Sequence, residues 1–99
     1  MLQEGRLANE RGVLQAWGEV IRRYRQWKRL SRRDLAMKAG ISPVFLGEIE
    51  RGEKDPSSRV LESVAEGLGI EVGDLLLRIA ATLKPEATTA TPVAATLAA

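Results

Sequence analysis

The chain has 99 residues, 44% of them apolar, with 15 Lys or Arg against 13 Asp or Glu and neither cysteine nor histidine. That length suits one small domain burying about three-fifths of its unfolded surface, and the missing Cys and His exclude disulfides, thiolate metal sites and the commonest general base. Residues 17–59 hold 11 of the basic and 6 of the acidic side chains, a local excess of +5 against −3 elsewhere; this points to an anionic partner of the central segment, the plainer alternative being a solvated basic helix.

Residues 1–12 lack a clear period and read as a flexible arm ahead of a domain spanning 13–84. From about Val13, the residues Val13, Leu14, Trp17, Val20, Ile21, Tyr24 and Trp27 recur at spacings of three and four, the pattern of an amphipathic helix ending near Arg29. Gly18 inside it costs about 1 kcal/mol against alanine, so it marks a close packing contact. Ser31 reads as an N-cap, with Asp34 three residues on in the manner of a capping box. The helix it opens, Arg32–Ala39, turns Leu35, Ala36 and Ala39 inward and stops at Gly40. Ser42 caps the next helix, and Pro43 takes the first helical position, where its missing N–H is not needed. That helix runs to about Arg51, buries Leu46, Ile49 and either Phe45 or Val44, and stops at Gly52.

Glu53-Lys54-Asp55-Pro56 is a turn. Ser57 or Ser58 caps a fourth helix to about Leu68, with Val60, Leu61, Val64, Ala65 and Leu68 inward and Gly69 beyond it. A fifth, over about Val72–Leu83, places Val72, Leu75, Leu76, Ile79 and Leu83 on one side, and Leu77 and Ala80 widen that stripe beyond the needs of one small core. No segment alternates as a strand, so the fold class is all-α with five helices. The tail 85–99, rich in Ala and Thr, has no core-forming pattern and is expected to be flexible.

Two short helices joined by a tight glycine turn make a helix-turn-helix. Residues 18–76 resemble the Cro/CI-like (XRE) DNA-binding domain nearly end to end. The match runs through Gly18, Ile21-Arg22, Arg25, Leu30-Ser31-Arg32-Arg33-Asp34-Leu35-Ala36, Ala39-Gly40-Ile41-Ser42, the stretch 46–52, Pro56, Leu68-Gly69-Ile70 and Leu75-Leu76. Residues 42–58 further resemble the regulators of Clp protease genes from actinobacteria. The resemblance implies a compact, lambda-repressor-like five-helix fold and a sequence-specific regulator of transcription, bound to double-stranded DNA as a homodimer. Its recognition helix, about 43–51, would lie in the major groove. The resemblance also implies a buried ion pair between Arg25 and Glu50, a surface pair being the alternative.

The family's base-contacting positions match Pro43, Val44, Gly47 and Glu48, and here the chain departs from better-known members. Pro43 and Gly47 have no side-chain donor, Val44 can touch a thymine methyl, and Glu48 can accept from cytosine N4. Readout therefore leans on Arg32 at the start of the second helix, on Arg51, or on DNA shape; Arg51 is also expected to be free to reach a phosphate. Ser42 and the N–H groups beside it form one anion site, and Lys54 with Ser57 or Ser58 a second. Arg33, Lys38 and Arg59 stand open between phosphate contact and plain solvation. Trp17, Tyr24 and Trp27, at helical spacing, read as core or interface residues rather than base-stacking platforms.

The wide stripe of helix five predicts a dimer interface of Leu76, Leu77, Ile79, Ala80 and Leu83, aided by aromatics of helix one, and hence a near-palindromic operator. The ending Thr96-Leu97-Ala98-Ala99 resembles the Leu-Ala-Ala terminus of the bacterial tag that sends stalled proteins to Clp proteases, so Clp protease is an expected partner; the alternative is an ordinary frayed tail. No catalysis, cofactor, metal, small-molecule ligand or membrane association is expected, and the expected place is the cytoplasm, on the nucleoid. Two rival readings stand beside this one. A protein-interaction module with the same fold would show no salt-dependent DNA affinity; an antitoxin or phage-type repressor would differ only in its operator.

Overall fold

The computed structural model describes residues 2–84, with side chains from residue 12 onward. The flexible tail and the Leu-Ala-Ala ending expected from the sequence lie outside the described residues. Five helices follow in order: α1 Leu2–Trp27, α2 Arg32–Ala39, α3 Pro43–Glu50, α4 Ser58–Leu68 and α5 Val72–Leu83. No strand occurs among the described residues, and no described helix is long and apolar enough to cross a membrane.

The short helices begin and end where local hydrogen bonding dictates. The Asp34 N–H donates to Ser31 Oγ at 2.9 Å while the Ser31 N–H donates to Asp34 Oδ2 at 3.2 Å, a complete capping box at the start of α2. Those bonds, the Ser31 hydroxyl first, hold the Asp34 carboxyl below its ordinary pKa. Ser42 caps α3 through the Phe45 N–H at 3.0 Å, and Ser57 rather than Ser58 caps α4 through the Val60 N–H at 3.2 Å. Gly40 and Gly69 close α2 and α4 in the left-handed conformation that a Cβ disfavours.

Helix α1 differs from expectation at both ends. It starts at Leu2 instead of near Val13, because Leu, Gln, Glu, Arg and Ala favour helix even where no apolar period marks a packed face. It ends at Trp27, two residues before Arg29. There the Leu30 N–H bonds the Arg25 carbonyl and the Arg29 N–H bonds that of Gln26, a closure that needs a left-handed residue; Arg29 supplies it at φ 58°.

The core forms where the inward stripes meet. Ile21, Leu35, Leu46, Ile49, Val64 and Leu75 are its largest fully buried members, with α1 against α3 and α5 and α2 against α4. Trp17, Tyr24 and Phe45 are half-buried against it, whereas Val44 and Trp27 stay exposed, at 72% and 73%. Gly18 sits where α1 crosses the end of α3. A Cβ there would stand 2.5 Å from the Glu50 carbonyl oxygen and closer still to that of Ile49.

Candidate nucleic-acid interface

Helix α3 is anchored from behind by a charged group. The Glu50 side chain is 1% exposed and faces Arg25 of α1, whose Nε donates to Oε2 at 2.7 Å and whose Nη2 donates to Oε1 at 3.0 Å. Arg25 Nη1 donates to the Leu30 carbonyl at 3.0 Å, so the guanidinium also holds the turn into α2. A two-toothed contact of this kind sets orientation as well as energy. The structure adds a member that the sequence reading missed: Arg32 Nε, at the first position of α2, stands 3.5 Å from Glu50 Oε1. One carboxylate thus joins three helices. Only the path of the turn between α1 and α2 brings Arg32 there, and no residue spacing signals it.

The outward side of the unit is basic and concave. Pro43, Gly47 and Arg51 recur at four-residue spacing on one face, and with Val44, Arg32 and Arg33 they line a shallow depression. Glu48 is half-buried and lies outside that lining. Gly47 is covered because two arginines lie across it: a Cβ there would stand 3.0 Å from Arg51 Nη1 and 3.5 Å from Arg32 Cδ.

Arg51, expected to be free for a phosphate, is instead held by Glu53. Its Nε donates to Glu53 Oε2 at 2.8 Å and its Nη2 to Oε1 at 3.2 Å. The tight turn through Gly52, at φ 73°, swings the Glu53 carboxylate back onto the arginine that closes α3. The pair lowers the Glu53 pKa and raises that of Arg51, in each case chiefly through the side-chain hydrogen bonds. Ser42 and Ser57 each use their oxygen as a cap acceptor, which leaves the hydroxyl proton for another partner. Lys54 is exposed in the turn ahead of α4.

Helix α5 divides the residues that the sequence grouped together. Ile79 is 4% exposed and belongs to the core of the single chain, so it is not part of an outer face. Leu77, 69% exposed, lies outward together with Leu76, Ala80 and Leu83. The reason is phase: at about 100° per residue, positions 75 and 79 share the inner side, and 76, 80 and 77 turn progressively away.

Two short capped helices, locked by a buried carboxylate and carrying a basic outer face, define a helix-turn-helix protein of the DNA-binding class. The chain belongs to the helix-turn-helix family, whose profile matches residues 21–75. Relatives of the chain carry the name of HTH-type transcriptional regulators. It is 39% identical over 59 residues to the uncharacterized HTH-type transcriptional regulator YazB of Bacillus subtilis (strain 168), a match covering 60% of this chain and 86% of YazB. Several other curated relatives are matched over about half their length. Among solved structures, the clp gene regulator ClgR from C. glutamicum is 38% identical with a TM-score of 0.67, covering 71% of this chain and 91% of that one. The restriction-modification controller protein C.AhdI from Aeromonas hydrophila is 32% identical with a TM-score of 0.61, covering 63% and 94%.

Proposed function

We propose that the chain is a sequence-specific regulator of transcription that binds double-stranded DNA as a homodimer, with α3 in the major groove. The observation that carries this reading is the outer face of α2 and α3, where Arg32, Arg33 and Arg51 surround an exposed helix start while Glu50 secures the helix from behind. Pro43, Val44, Gly47 and Glu48 face or flank the bases in this reading, and Val44 offers its methyls to thymine. Ser42, Lys54 and Ser57 hold phosphates at the starts of α3 and α4. Arg32→Ala is expected to weaken binding to all duplexes alike and to lower the slope of log affinity against log salt by about one unit. Fluorescence anisotropy across a salt series measures this; an unchanged slope removes Arg32 from the phosphate contacts.

The exposed flank Leu76, Leu77, Ala80 and Leu83 supports a second copy as the partner of α5. Two-fold symmetry then calls for a near-palindromic operator with half-sites about 34 Å apart. A Leu76→Glu/Leu77→Glu double variant is expected to run as a folded monomer in light scattering at micromolar concentration, because both side chains lie outside the core. A dimer of unchanged mass rejects this interface.

Similarity to the ClgR structure makes genes of the Clp system the proposed targets, with the protein working in the cytoplasm on the nucleoid. The segment Leu97-Ala98-Ala99 is the proposed contact for Clp protease. Changing Ala98 and Ala99 to aspartate is expected to lengthen the protein's lifetime in cells, and an unaltered half-life with DNA binding intact ends that part of the reading.

A further inference from the structure

We propose that Arg51 reads a guanine in each operator half-site, that Glu53 is its positioning residue, and that Gly47 leaves the space in which the guanidinium lies. This rests on the DNA-binding reading above. Arginine carries five N–H donors in a rigid plane. Glu53 occupies the edge formed by Nε and Nη2, which leaves the edge formed by Nη1 and Nη2 with two parallel donors. That free edge matches the paired acceptors O6 and N7 of guanine in the major groove.

The arm is also aimed. Arg51 closes α3, yet its Nη1 lies over Gly47, one turn back toward the helix start that enters the groove. Any side chain at position 47 would meet Nη1 and move it. A phosphate contact needs none of this, and a carboxylate beside a phosphate-binding arginine works against it, because Glu53 repels the same backbone. The Glu53 pair is consistent with an arginine whose orientation matters more than its charge. It also supplies the side-chain donors that Pro43, Val44 and Gly47 lack on the same face.

The experiment selects operators from a random duplex library with the full chain, then replaces each selected guanine by 7-deazaguanine, which lacks the N7 acceptor. The wild type is expected to select at least one guanine per half-site whose replacement weakens binding about tenfold to a hundredfold. Arg51→Met removes all five donors, so it is expected to abolish sensitivity to that replacement while lowering the salt slope by less than the unit that a phosphate contact contributes. Glu53→Gln is expected to lose most of the guanine preference while binding random duplex more tightly, since one negative charge is gone. A purely electrostatic role for Glu53 raises affinity for operator and random duplex equally, and that result overturns the proposal. So does a 7-deazaguanine effect that is absent, or that persists in Arg51→Met. In both cases salt-dependent operator binding remains and the function proposed above stands; a wild-type chain that binds no duplex overturns both.

Discussion

Replacing Glu50 with alanine is expected to lower the unfolding free energy by about 3–5 kcal/mol, the usual cost of leaving a buried charge without its partner. Arg25 is the charge left behind, its side chain 11% exposed and its only remaining bond in this network the one to the Leu30 carbonyl. A small domain has roughly 5–15 kcal/mol in total, so the variant unfolds readily near body temperature. The paired change Arg25→Met/Glu50→Leu is expected to recover most of the loss, because an apolar pair of similar volume carries no desolvation penalty. Urea unfolding of the two variants measures both effects. A loss below about 1 kcal/mol for Glu50→Ala is the value of an exposed pair and contradicts the burial. The recovered double variant should still bind DNA poorly, since Arg32 loses the carboxylate beside it.

Gly18→Ala is the second large effect, and two principles disagree about its sign. Helix propensity alone favours alanine by about 1 kcal/mol. The structure puts the new methyl 2.5 Å from the Glu50 carbonyl oxygen and nearer that of Ile49, both backbone atoms of α3 that cannot rotate aside. Overpacking of that kind costs about 1–3 kcal/mol and more when the backbone must move. We expect packing to win, with a cost at the top of that range, a net loss of about 2 kcal/mol and a melting temperature lower by about 8–16 °C. A raised melting temperature means that α1 and α3 separate without penalty. The shift should also loosen Arg25 from Glu50, since both ends of the pair ride on the helices forced apart.

What was legible in the sequence follows from how far each interaction reaches. Ser31 with Asp34, Ser42 with Pro43, Ser57, and the glycines after α2 and α4 act through hydrogen bonds and backbone angles within a few residues, so α2, α3 and α4 take the bounds expected within a residue. The crowding at Gly18 was legible as well, because an interior glycine in a helix needs a reason. The start of α1 was not, since helix propensity leaves no apolar period to read. Arg25 and Glu50 could be paired only through resemblance, since they stand 25 positions apart in the chain.

Residue order alone was enough for five helices, the serine caps of α2 and α3, the glycine stops of α2 and α4, the absence of Cys and His chemistry, and a basic centre on an otherwise acidic chain. Tertiary structure decided the rest. It drew Arg32 to the Glu50 carboxylate, clamped Arg51 on Glu53, laid two arginines over Gly47, and sent Ile79 inward while Leu77 faced out. Each of these depends on the direction in which a turn leaves a helix and on the rotation of that helix about its axis. A shift of one residue in phase, about 100°, exchanges an inner position for an outer one, and a pattern of apolar residues wide enough to cover both leaves that choice to packing.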